Sequence, residues 1–141
     1  MSMKRVMAFD IGDKRIGIAV SDPLGITAQG IETYSRNGDL DQDIDYLIAL
    51  ADQYRPVRLV FGMPRNMNGS YGMQAEITKT FVEELLKKWD GEYDYYDERL
   101  TTMSAQRVLL EADMRRDKRK NVVDKIAAVI ILQSYMGSHP Q

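Results

Sequence analysis

The 141-residue chain has no cysteine and a single histidine. The missing cysteine excludes disulfides, thiolate zinc sites and a cysteine nucleophile, and it fits a reducing compartment. His139 lies beside Pro140 near the end of the sequence, where chains are commonly poorly ordered, so it is read as inert. Ser-His-Asp chemistry and a histidine general base are therefore disfavoured. Long hydrophobic runs are also missing. The longest uncharged stretch, Ile126 to Ser138, is shorter than the ~20 residues of a membrane-spanning helix, and Met1 to Asp10 has no signal-peptide hydrophobic region. The expectation is a cytoplasmic protein with no membrane partner. Charge of one sign is not in excess either: a formal net charge of -2 argues against coating nucleic acid by charge alone, so any such binding must be local.

What is present is ordinary for a globular protein, with 44% hydrophobic and 28% charged residues. The length suits one domain, expected over residues 1–137 with a short tail at 138–141. Arg5 to Phe9 is almost continuously apolar, as a strand covered on both faces would be, and ends on Asp10. Gly12 and Asp13 supply turn chemistry, and Ile16, Ile18 and Val20 then alternate with small residues, so the pair reads as a hairpin. A third strand is expected over Ala28 to Tyr34. Asp39 with Gln42 resembles a capping box for a helix carrying Leu40, Ile44, Leu47, Ala51 and Tyr54 up to Pro56.

Val57 to Phe61 predicts another buried strand, followed by Gly62-Met63-Pro64 and a polar loop from Arg65 to Gly72. The next helix places Thr78, Phe81, Val82, Leu85, Leu86 and Trp89 on one stripe and stops near Gly91. A strand over Tyr93 to Asp97 leads to Glu98. Thr101 or Thr102 caps a helix to about Ala112, and the charged stretch Arg115 to Lys120 separates it from a last helix ending near Gly137. This order predicts an α/β fold: a mixed five-stranded sheet with an antiparallel hairpin edge and helices on both faces.

In open α/β sheets, ligands bind outside the carboxyl ends of parallel strands, where the pattern puts Asp10 and Glu98. By itself Asp10 reads equally as a turn aspartate accepting backbone amides. Asp124 lies in a helix that is apolar nearly all round, in line with Ala127, Ala128 and Ile131. An unpaired buried carboxylate is costly, which leaves exposure in the helix's first turn, a salt bridge, or a metal ion. Taken together, three clustered carboxylates would repel one another unless a divalent cation held them, and oxygen-only ligation favours Mg2+ or Mn2+. Such a cluster can hold two ions that activate water and stabilise the leaving oxygen of a phosphodiester.

Four blocks, Asp10–Asp22, Gly62–Ser70, Asp97–Thr102 and Val123–Tyr135, resemble the YqgF/RuvX family over essentially the whole chain. That family is related to the resolvase RuvC within the RNase H-like superfamily, and its members are described as Holliday junction resolvases or pre-16S ribosomal RNA nucleases. The resemblance implies an RNase H-like sheet, and it implies that Asp10, Glu98 and Asp124 match the family's acidic active-site positions. It also implies a substrate that is an RNA precursor or a branched DNA, with a ribosome or pre-ribosomal particle as a partner. Arg65 stands where a leucine is common and Asn68 where an aspartate is common.

Asn66, Gly69 and Ser70 precede a helix N-terminus and can offer amides and a hydroxyl to a phosphate oxygen; Ser70 reads equally as the helix cap, since both uses draw on the same donors. Arg116, Arg119 and Lys120 belong to the one dense basic run, just upstream of Asp124, and would hold the scissile strand. Lys14, Arg15 and Arg99, beside acidic positions, are further candidates. Tyr93, Tyr95 and Tyr96 read as sheet-face packing rather than base stacking.

Two other classes compete with a nuclease. One is a non-catalytic binding module in ribosome maturation. The other is an actin-like phosphate loop, which needs a second such domain for which this chain has no room. The sequence is compatible with a monomer or a homodimer.

Overall fold

The computed structural model describes residues 5–66, 68–98 and 125–138, together with the backbone of 116–124. Five strands form one mixed sheet: β1 (Val6–Ile11), β2 (Arg15–Ser21), β3 (Ala28–Ser35), β4 (Arg58–Met63) and β5 (Glu92–Asp97). Their spatial order is β3-β2-β1-β4-β5. β1 pairs antiparallel with β2 and β2 with β3, whereas β1–β4 and β4–β5 are parallel. Among the described residues three helices cover the sheet: α1 (Leu40–Tyr54), α2 (Met73–Leu86) and α3 (Arg116–Ser138). The expected α/β sheet with helices on both faces is what forms. The expected helix over Thr101 to Ala112 lies outside the described residues.

Strand alternation sorts the core into two layers. Met7, Phe9 and Ile11 join Ile16, Ile18, Leu59 and Phe61 under α1 and α2, whereas Val6, Ala8, Ala19, Val60 and Tyr96 face α3. Central β1 is buried on both faces, which is why its sequence is nearly all apolar. α1 starts where expected, with the Asp39 side chain accepting from the Gln42 amide at 3.2 Å. The reciprocal half of the capping box is absent, because the Gln42 side chain accepts from Asn37 instead. α1 ends with Arg55 in the left-handed region (φ 53°), and Pro56 precludes continuation.

Several boundaries differ from expectation. β1 runs one residue beyond Asp10 because Ile11 pairs antiparallel with Ile16, and β4 takes in Gly62 and Met63 because its parallel pairing continues to Tyr96 and Asp97. α2 stops at Leu86, and Trp89 lies beyond it with its ring N–H donating to the Glu92 carbonyl at 3.0 Å. Arg116 to Lys120, expected to precede the last helix, is itself helical and belongs to α3.

Candidate metal and nucleic-acid site

Parallel strands β1, β4 and β5 bring their carboxyl ends to one edge of the sheet, and register decides what meets there. Phe9 pairs with Phe61 and Gly62 with Tyr96, so Asp10, Gly62 and Tyr96 form the next row across the three strands. Alternation aims Asp10 at the α3 face, the face of Ala8, Val60 and Tyr96. Glu98 directly follows β5, and both carboxylates are half-buried.

Gly62, between them, has a specific reason to be glycine. A Cβ there would collide with Ile131 Cδ1 of α3 and would stand 3.4 Å from the Glu98 carboxyl carbon. The missing side chain makes a recess at the end of β4, which Ile131 and the Glu98 carboxylate fill, one strand from Asp10. By residue type alone Gly62 reads as the start of a loop, since its role depends on Glu98 and Ile131, far along the chain.

α3 crosses this face antiparallel to β4. The Tyr135 hydroxyl accepts from Arg58 at the start of β4 (2.9 Å) and donates to Asp94 (3.2 Å), while Ile131 lies against Gly62 near the strand's end. The earlier turns of α3 therefore project toward the carboxyl edge. Asp124 is eight residues beyond the helix's first residue, Arg116, and one turn before the fully buried Ala127 and Ala128. This depth corrects the first-turn explanation for Asp124, because both exposure by fraying and the macrodipole are effects of the terminal turn. The side chains of Asp124, Arg116, Arg119 and Lys120 lie outside the described residues, as does Arg99 altogether.

Among the described residues no three acidic or imidazole side chains form a metal-holding group, and of the three candidate acids only Asp10 and Glu98 have described side chains. What is described fits a hard divalent cation: two carboxylates on one face at one sheet edge, and a glycine recess that admits one of them. The donors are oxygen, as Mg2+ or Mn2+ prefers.

The β1–β2 turn carries Lys14, exposed, and Arg15, half-buried at the start of β2. Gly12 donates its N–H to the Arg15 carbonyl at 2.9 Å, and a Cβ on Gly12 would sit 2.5 Å from that oxygen. The turn therefore closes tightly only with glycine.

The loop after β4 is differently built from the sequence expectation. Ser70 does not cap α2; the cap is Gly72, with no side-chain bond. The Gly69 N–H donates to the Asn66 carbonyl (2.8 Å), and the Ser70 N–H and hydroxyl both donate to Asn68 Oδ1 (3.0 and 2.6 Å). Asn66 Nδ2 donates to Ser70 Oγ at 2.9 Å. The donors proposed for phosphate are thus engaged within the loop, and a phosphate contact would require their exchange. Arg65 anchors this loop, donating to the Gly69 carbonyl from Nε (3.0 Å) and pairing with Asp97 at 3.3 Å. Its guanidinium also lies 4.6 Å from the Tyr71 ring centroid. Of the β5 tyrosines, Tyr95 tilts against Phe61 and Tyr96 meets Tyr135 edge-on, as expected of sheet-face packing, whereas Tyr93 is exposed and edge-on to Tyr95. No helix among the described residues is long and apolar enough to cross a membrane.

Comparison with known proteins gives a consistent picture. The family model described as "RuvX: Holliday junction resolvase" matches residues 4–138. A Clostridium perfringens protein named "Putative pre-16S rRNA nuclease" is 48% identical over 132 residues, covering 94% of this chain and 96% of the relative. A protein of the same name from Heliobacterium modesticaldum is 52% identical over 134 residues, covering 95% and 89%. Among solved structures, T. thermophilus RuvC in complex with a Holliday junction substrate superposes with a TM-score of 0.59 at 11% identity, over 96% of this chain and 97% of that one. At that identity the likeness establishes the RNase H-like fold.

Proposed function

Since the chain belongs to the RuvX Holliday junction resolvase family, we propose that it is a metal-dependent nuclease whose leading substrate is a ribosomal RNA precursor, cut at the 5′ end of pre-16S rRNA. Family and fold make it a hydrolase of phosphodiester bonds. The observation that carries the metal reading is the Gly62 recess, which brings the Glu98 carboxylate against the end of β4 beside Asp10. On this reading Asp10, Glu98 and Asp124 hold Mg2+ or Mn2+, which when bound polarises the phosphodiester and lowers the pKa of water. The chain's own residues supply the rest. β1 fixes Asp10 at a buried strand end, and the glycine recess orients Glu98. Lys14, Arg15, Arg99, Arg116, Arg119 and Lys120 neutralise phosphates of the bound strand. Substrate names favour RNA in the curated relatives and a DNA junction in the family description, so both substrates belong in one experiment.

Labelled pre-16S rRNA and a four-way DNA junction are incubated with Mg2+ or Mn2+ and wild type, Asp10→Asn, Glu98→Gln or Asp124→Asn. Wild type is expected to cut the RNA, and chelation with EDTA to stop it. Each variant should bind the substrate yet lose more than the roughly 10–100-fold that an outer-sphere metal partner is worth. Cutting of the junction alone transfers the assignment to DNA resolution. Binding without cutting, in a preparation free of other nucleases, makes the protein a maturation factor without catalysis.

A further inference from the structure

Among the described residues Asp43 is the only charged side chain that is fully buried. It lies in the first turn of α1, on the face of the sheet opposite α3. Its Oδ1 accepts from the Tyr34 hydroxyl at 2.8 Å and the Asn37 N–H at 3.4 Å, and its Oδ2 accepts from Arg36 Nε at 3.0 Å. Arg36, its guanidinium 5.0 Å from the Phe81 ring centroid, then reaches the β1–β2 turn twice. Nη1 donates to the Gly12 carbonyl at 3.0 Å, and the Arg36 backbone N–H donates to the Lys14 carbonyl at 2.9 Å. From α2, Gln74 Nε2 donates to the Ile11 carbonyl at 3.1 Å. Three carbonyls of the four residues that follow Asp10 are therefore gripped from outside the hairpin.

We propose that Arg36, locked by Asp43, is a positioning residue that fixes the Asp10 turn in the geometry needed to hold the metal. The inference rests on the nuclease reading above. A buried ion pair is a poor means of stabilising a fold, since apolar residues of the same volume commonly do as well. What it gives here is a directional hold on a backbone carbonyl two residues from Asp10, which apolar packing cannot supply. Arginine suits the task because one planar fork binds the carboxylate and the carbonyl at once, a geometry lysine cannot reproduce. Sites that must keep ligands in place are generally supported by such locked neighbours.

The test is Mn2+ titration of the full chain, read by the electron paramagnetic resonance of free Mn2+, alongside thermal melts. Wild type, Asp10→Asn, Arg36→Gln, Arg36→Lys and Leu85→Ala are compared, the last destabilised by a cavity in α2 away from the turn. Arg36→Gln is expected to weaken Mn2+ affinity by about tenfold, Arg36→Lys to fall between it and wild type, and Leu85→Ala to bind as wild type despite its lower melting temperature. Wild-type affinity in folded Arg36→Gln, or in Arg36→Lys where the glutamine variant does not fold, overturns the proposal. So does an equal loss in Leu85→Ala, which would make stability alone responsible. Asp10→Asn with undiminished affinity, or a wild type that takes up no Mn2+, removes the metal reading itself.

Discussion

The Tyr34 hydroxyl sits beside buried Asp43, and burial first and that hydrogen bond second push it from its ordinary value of 10 up to about 12. The folded state thus holds this proton more tightly than the unfolded chain does. Its contribution to stability is complete below pH 10 and disappears as the pH rises through 12. Urea unfolding at a series of alkaline pH values should show a loss across that window, and Tyr34→Phe should be less stable at pH 8 but flatter above pH 10. At this scale the sequence was informative about Asp10, whose strand end follows from an apolar run, and uninformative about Arg36 and Asp43. Nothing in the spacing of those two tells a buried pair from solvated surface charges. Ser70 shows the opposite case: its residue type suggested a cap, but α2 is capped two residues later at Gly72, and Ser70 Oγ accepts from Asn66 Nδ2 instead of a helix amide.

Between elements, the contact of α3 with β4 depends on Gly62. In Gly62→Ala, the new Cβ meets Ile131 and the Glu98 carboxyl carbon, so α3 must shift or Ile131 must leave its rotamer. Overpacking of this kind costs about 1–3 kcal/mol, to be read as a lower urea midpoint in chemical denaturation. Mn2+ affinity should fall as well, because Glu98 shares the recess; a variant that lost stability yet bound Mn2+ normally would separate the recess from the site. Periodicity made the strands and the apolar length of α3 readable. It did not reveal where α3 begins: Arg116 to Lys120 lacks an apolar stripe and reads as a linker, although lysine and arginine are good helix formers. Likewise Gly62 and Met63 look like a turn until β5 is known to pair beside them.

Over the whole molecule, the sheet presents two unequal faces. α1 and α2 cover one, and among the described residues α3 is the only helix on the other, against Val6, Ala8, Ala19, Val60 and Tyr96. A chain ending before Arg116 should therefore expose a broad apolar surface and aggregate, and a separate peptide spanning 116–138 should restore its solubility when added during refolding. Light scattering with and without the peptide measures this; a monomeric, soluble truncated chain would show that α3 is dispensable for the sheet. Topology of this kind was predictable in outline, since strand and helix order dictates helices on both faces, but which helix alone protects a face is a property of the assembled sheet. The position of α3 in the chain, after all five strands, also bears on how the protein is made. A polypeptide emerging from the ribosome releases these five strands before the helix that seals them, and on the proposed chemistry the carboxylate of Asp124 arrives with that helix. On that proposal a nuclease ordered in this way stays inert until α3 has emerged and docked on the sheet.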